Sequence, residues 1–419
     1  MDISQERLDA IYGLCTRYTQ EMQSGINVIK TTDRREAMKD ADFVINVALD
    51  YGHERFRQGI DVAYKHGYRF GGSLHVLHDE AFFINFHQLK LMEEILLDVL
   101  DICPKAYYIM VANPVQAGVT YLQRKYKNAK VIGMCHGFTG VYRIANVLGL
   151  DRKDIDFEVA GVNHFLWLTK FSYKGEDGYK YIDKWLQEHD GKMLTDKKAI
   201  EDYGISVDEI SPKAVDMYKK FGLFPIGDTA SAGGGAWGWE YHTDDAIEKK
   251  YENTPLQWYK DYFVVCEENV KMIKSVVDNL EIKVSDAFSD VQSDEPMIPL
   301  IEGLAFDTHN TVVVNILNDG GYMKGLPTDY EVEIAAVVSK DSIKPIPNDG
   351  LPKPIMAHLL RDRIAPVEME LAAFENHSKE LLIDLIMMDP WTKSRKQAED
   401  LLEDILNLPC NADMKEYYI

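Results

Sequence analysis

The sequence has no apolar run of membrane-spanning length, and its opening residues, MDISQERLDA, lack the pattern of a secretory signal. Cysteine is scarce: Cys15, Cys103, Cys135, Cys266 and Cys410 are scattered through 419 residues, an odd number with no framework spacing. That excludes a disulfide scaffold and makes the cytoplasm the expected compartment. Positive charge is in deficit, with 46 Lys and Arg against 68 Asp and Glu and a net charge of -22. Neither nucleic acid nor an anionic membrane is therefore expected as a partner. Repeats and low-complexity tracts are also missing.

What is present is an alternation of strand and helix signals. Residues 4 to 24 read as a helix, followed by NVIKTTD and DFVINVAL as strands, the second a continuous apolar run of the kind a parallel sheet buries on both faces. HERFRQGIDVAYKHG and DEAFFINFHQLKLMEEILLDVLDIC read as helices, the latter ended by Pro104. YYIMVAN, PVQAGVTYLQRKY and AKVIGMC continue as strand, helix and strand. The pattern predicts an α/β fold: a doubly wound, Rossmann-like sheet of the lactate/malate dehydrogenase type, over residues 1–155. From about residue 156 the texture becomes α+β. Strands are expected in DFEVAGVNHFLWLTKFSYK, TVVVNILN and VEIAAVVSKDSIKPI, with helices around 178 to 220 and 254 to 280 and through most of the tail. Met387 and Met388 read as core. Residues 156–419 are thus expected to form a second domain, carrying substrate, metal and oligomer contacts, that closes a cleft over the sheet's rim.

A dinucleotide-binding sheet opens with a strand, a glycine-rich turn and a helix, and its second strand ends in an acidic residue. Asp2 suits that acidic residue, but no G-x-G turn precedes it, and Gly71-Gly72-Ser73 lies mid-domain. The expectation is a chain lacking the first strand and the phosphate-binding turn. Asn46, Asn113 and Cys135 fall at or near carboxyl ends of strands, where such sheets take ligands. Asp2 and Asn46 are the candidates for cofactor contact. Cys135 and His164, 29 residues apart and each near a strand end, supply half of a metal site that oxygen ligands could complete.

VANPV at 111–115, GMCHGFTG at 133–140, GVNHF at 161–165 and FPIGDT at 224–229 occur in this order and at these distances. Together with DADFVINVAL and LLIDLIMMDPWTKSRKQAEDLLEDIL, they resemble glycoside hydrolase family 4, the NAD- and divalent-metal-dependent glycosidases, over essentially the whole chain. The Cys-His-Gly-Phe form and the GDT…GGGAWG loop resemble its α-glucuronidase branch.

That resemblance implies hydrolysis of α-glycosidic bonds, α-glucuronides above all, by oxidation at C3, removal of the C2 proton, loss of the glycosidic oxygen and addition of water. It implies NAD, a divalent metal (Mn2+ first) on Cys135 and His164, sugar contact by Asn113, and a homodimer or homotetramer. His136 takes the proton donor's position, with a hydrogen bond to substrate as its other reading, and Asp228 the C2 base's, with a turn cap as its other reading. A glucuronide's carboxylate calls for a cation, and Arg143, one helical turn past Thr139, is the candidate, with an ordinary surface arginine as its first reading. Gly233-Gly234-Gly235 with Trp237 and Trp239 offers a loop for stacking on sugar. A 2-hydroxy-acid dehydrogenase shares the sheet and the NPV turn but has no use for a thiolate ligand. An inactive remnant is the other alternative.

Overall fold

The computed structural model describes residues 1–189, 211–234, 237–288 and 293–418. Its ten strands make one sheet: β1 (Phe43–Asn46), β2 (Tyr107–Met110), β3 (Val131–Gly133), β4 (Ile155–Val162), β5 (Phe165–Tyr173), β6 (Glu176–Asp177), β7 (Phe224–Ile226), β8 (Asn310–Leu317), β9 (Glu331–Ser339) and β10 (Ser342–Pro345). The order is β1-β2-β3-β8-β9-β4-β5-β6, with β7 on β5 and β10 on β9. The first three strands run parallel and the others pair antiparallel, so the Rossmann-like half and the α+β half share one hydrogen-bonded sheet.

Alternation along the strands explains how both faces are filled. Tyr108 and Met110 of β2 point into one apolar cluster, with Leu89 and Met92 of the helix Phe82–Ile102 and Val119 of the helix Val115–Lys125. Tyr107 and Ile109 point into the other, with Leu300 and Leu304 of the helix Met297–Phe306. A strand buried on both faces must be apolar throughout, and YYIM is.

One row of partners crosses the sheet and fixes its registers. Asn46 pairs with Met110, Met110 with Gly133, Gly133 with Asn315, and Asn315 with Glu333. Glu333 then faces Gly161, Gly161 faces Leu166, and Leu166 faces Ile226. The polar members Asn46, Asn315 and Glu333 are all buried.

Several expectations need correction. NVIKTTD forms no strand, because β1 pairs only with β2; Ile26 and Ile29 stay exposed and the short helix Arg34–Ala37 follows. Met387 and Met388 are exposed rather than core, on the outer side of a helix whose Leu382, Ile383, Leu385 and Ile386 face inward. Trp237 is buried, donating from Nε1 to the Thr229 carbonyl at 2.7 Å and packing on Phe165, so it is a core side chain and not a stacking platform. Trp239 is exposed. Gly235 and the part of the expected helices within 190–210 lie outside the described residues. Among the described residues no helix is long and apolar enough to cross a membrane.

A methyl group on Gly161 would sit 1.9 Å from the Phe165 carbonyl oxygen, within the hairpin that carries residue 164. Gly161→Ala is therefore expected to destabilise the fold by about 1–3 kcal/mol, as overpacking does. Thermal unfolding followed by circular dichroism measures this, and an unchanged midpoint would contradict the close approach.

Candidate metal and catalytic site

The site lies just beyond the row of partners. Cys135 follows β3 by two residues, and Asp228 follows β7 by two. β4 and β5 are joined through Asn163 and His164, with Val162 opposite Phe165, and His164 takes a left-handed backbone with φ of 60°. Leu166 faces Ile226, so continuing that antiparallel register brings His164 opposite Asp228. Thr229 pins the arrangement: its hydroxyl accepts from the Leu166 amide at 2.6 Å and donates to the Leu166 carbonyl at 2.9 Å. On the other side, the backbones of Gly137 and Gly227 touch. A methyl group on Gly227, which has φ of 56°, would fall 2.6 Å from the Gly137 Cα.

One ligand atom each from Cys135, His164 and Asp228 lies within 4.8 Å of the others. The His164 Nε2 is 3.4 Å from the Asp228 carboxylate, and its Nδ1 is 2.5 Å from the Glu80 carboxylate. A soft thiol, an imidazole and a hard carboxylate form a donor set that suits a divalent transition metal.

The electrostatics fit a site that awaits a cation. Burial works against a charged His164, yet Glu80 and Asp228 outweigh it and raise its pKa well above the ordinary value. Burial lifts the Cys135 thiol, with Glu333 adding to the effect against the pull of His164. Burial also works against ionised Asp228, but His164 and His136 hold its pKa below the usual range, so it is an available base. Glu333 is pushed up to about 7 by burial, against the pull of His164 and a hydrogen bond from Asn163.

The other predicted residues are distributed as follows. His136 is exposed, with Nδ1 3.3 Å from Glu295, whose hydrogen bond raises its pKa. Arg143, on the helix Gly140–Val147, is near enough to His136 for its charge to oppose that rise. Asn113 sits at the β2 end, where its carbonyl accepts from Gln88 at 2.7 Å; Gln88 also donates to the Ala48 carbonyl beyond β1. Asp2 is engaged by its chain neighbours at the partly exposed start of the chain, and Asn46 within the fold. Asp2 accepts from the Ser4 amide at 2.7 Å and from Arg7 at 3.1 Å, while Asn46 donates to the Tyr108 hydroxyl at 3.0 Å and accepts from the Ala48 amide at 3.0 Å. The structure thus gathers Cys135, His164, Asp228 and His136, with Arg143 near, and does not bring Asp2 to them.

Sequence reasoning missed Glu80, Glu295, Glu333 and Arg363. Glu333 had left a signal: Glu331 and Glu333 alternate within an otherwise apolar strand, which places two carboxylates on one buried face.

A doubly wound sheet that gathers a thiol, an imidazole and a carboxylate at the carboxyl ends of its strands has the ligand-site layout of α/β enzymes. More particularly, the chain belongs to the family 4 glycosyl hydrolases, whose profile matches residues 1–150 and whose C-terminal-domain profile matches residues 159–392. It is 25% identical to an alpha-galactosidase of Bacillus subtilis (strain 168), over 96% of this chain and 88% of that protein. It is 26% identical to an alpha-galacturonidase of Lachnoclostridium phytofermentans, over 74% of this chain and 67% of that protein. In fold it matches a 6-phospho-alpha-glucosidase from gut microorganisms, solved in complex with NAD and Mn2+, with a TM-score of 0.77 and 18% identity over 100% of this chain and 91% of that one.

The shift of Glu333 carries a sign. In the unfolded chain its carboxyl loses the proton near 4.5, in the fold only near 7, so ionisation weakens the fold as pH rises through that interval. Glu333→Gln is expected to add about 1–3 kcal/mol of stability at pH 8 and little at pH 4. Urea denaturation at both pH values measures it, and an equal effect at the two would contradict the buried, late-titrating carboxyl.

Proposed function

We propose that this chain hydrolyses α-glycosidic bonds of uronides, with a divalent metal, Mn2+ first, and NAD. The observation that carries the reading is the convergence of Cys135, His164 and Asp228 within 4.8 Å at the sheet's rim. The alpha-galacturonidase relative and the expected α-glucuronide preference share one feature, a sugar bearing a carboxylate.

The cluster fits a metal: three unlike donors converge, and the imidazole already has a carboxylate behind it. Cys135 and His164 would hold the ion, which when bound would act as a Lewis acid on the sugar's hydroxyl oxygens. The dinucleotide fits only in part. The carboxyl ends of β1, β2 and β3 form the crevice where such sheets take one, but no strand, glycine-rich turn and helix unit occurs among the described residues, and Asp2 and Asn46 are already engaged. NAD when bound would supply the hydride acceptance and return that no side chain performs.

The chain's own groups then have separable tasks. Asp228 is kept ionised by His164 and His136 and is oriented by Ser231, whose hydroxyl donates to it at 3.0 Å; it accepts the C2 proton. His136, kept protonated by Glu295, is exposed and donates to the leaving glycosidic oxygen. Asn113 orients the sugar, and Arg143 meets the uronate carboxylate. In this reading residues 1–155 carry the cofactor side, and residues 156–419 the metal, substrate and oligomer contacts.

The test is release of uronic acid from α-linked glucuronides and galacturonides, with NAD and Mn2+ each omitted in turn. Release requiring both is expected, and Asp228→Asn is expected to lower kcat by about 10²–10⁴-fold. Release that needs neither, or that survives Asp228→Asn unchanged, would overturn the reading.

A further inference from the structure

A fully buried pair of opposite charges, Glu80 and Arg363, abuts His164. Glu80 sits in the turn before the helix Phe82–Ile102 and is 1% exposed. Its backbone carbonyl accepts from the Asn85 amide group at 2.8 Å, and the same amide group donates to Glu370 at 3.1 Å, which fixes where residue 80 begins. Its side chain reaches the His164 Nδ1 at 2.5 Å with one oxygen and lies 3.8 Å from the Arg363 guanidinium with the other. Arg363 is itself 1% exposed, in a π-helical turn spanning Leu360–Ile364. It donates to Gln116 at 2.6 Å and to the Asn163 carbonyl at 2.7 Å, the residue just before His164 in the hairpin turn.

We propose that Glu80, braced by Arg363, is the positioning residue that makes His164 a metal ligand; this rests on the metal-site reading above. A carboxylate 2.5 Å from Nδ1 favours the imidazole proton on that nitrogen, so that a bound cation would take the Nε2 lone pair on the side of Cys135 and Asp228. The hairpin turn sets where the ring begins but not how it rotates about its side-chain bonds. Glu80 sets the rotation, and Arg363 donates to the turn's carbonyl while its charge lies 3.8 Å from the carboxylate, which links the placement of turn and ring. A carboxylate behind the ring also makes Nε2 a stronger donor to a cation. Arg363 offsets the carboxylate's charge, which explains how a glutamate this deeply buried is tolerated.

The experiment is Co2+ titration of the full chain, following the visible bands of thiolate- and imidazole-bound cobalt and measuring affinity by chelator competition. Glu80→Gln keeps the shape and loses the charge. It is expected to weaken Co2+ binding by about 10–100-fold and to alter the bands, read on the fraction that remains folded. Cys135→Ser is the control. Wild-type affinity and spectrum in Glu80→Gln, with binding lost in Cys135→Ser, would overturn the role of Glu80 alone. Wild-type affinity in Cys135→Ser would overturn the metal site itself, and this proposal with it. Should Glu80→Gln fail to fold, nitrogen NMR of His164 in the Zn2+-loaded wild-type protein decides. A proton on Nδ1 supports the proposal; a proton on Nε2 defeats it.

Discussion

The continuous row of strand partners from Asn46 to Ile226 is the constraint on which the rest depends. A side-chain period of two means that a one-residue slip in any of these pairings would turn the residues beyond it to the opposite face. Cys135, His164 and Asp228 come from different strand ends and are separated by tens of residues in sequence. They meet because each lies a short, fixed distance past the same row. The two glycines in the row let neighbours approach where a side chain would collide: Val115 and Val119 crowd Gly133, and the hairpin's own backbone crowds Gly161.

Beneath the row the protein departs from an apolar interior. Glu80, Glu331, Glu333, Arg363, Asn163 and Asn315 are all buried, in a region where an unmatched charge is costly. A carboxylate lies behind the imidazole and a guanidinium near that carboxylate, and the amides of Asn163 and Asn315 reach Glu331 and Glu333. Such a layer is stiff because no member can move without stranding its neighbour. Stiffness there serves the cluster above it, whose donors have to be aligned before any ligand arrives.

Much of this was legible in the sequence, and for identifiable reasons. The doubly wound half announced itself through the apolar runs DFVINVAL and YYIMVAN, although only the second is buried on both faces: β1 is an edge strand, and Ile45 and Val47 of its run are exposed. The Cys135 and His164 pair was legible through placement at strand ends. Asp228 was legible only by resemblance, since the register between β5 and β7 that sets it opposite His164 has no local signature. NVIKTTD misled because strand propensity needs a paired neighbour, and the segment pairs with none: the outer edge of β1 stays open. Trp237 misled in the opposite sense: glycines beside tryptophans suggested an exposed loop, whereas the ring closes the core against Phe165 and Trp167. Glu80 and Arg363 could not be read at all, because their meaning lies in contacts spanning hundreds of residues.

The touch between Gly137 and Gly227 is not symmetric. A methyl group on Gly137 would rest at ordinary contact distance, 3.6 Å from the Cys135 sulfur and 3.7 Å from Gly227, whereas one on Gly227 would overlap the Gly137 backbone. In evolutionary terms the two loops are unequal partners. Position 137 is free to explore small side chains, but position 227 is frozen for as long as the loops stay in contact. The order in which substitutions could accumulate is then constrained: a change at 227 becomes accessible only after the loop bearing 137 has been displaced, and with it the cysteine two residues upstream. Variation in this part of the chain should therefore be directional, with one loop recording history and the other resisting it.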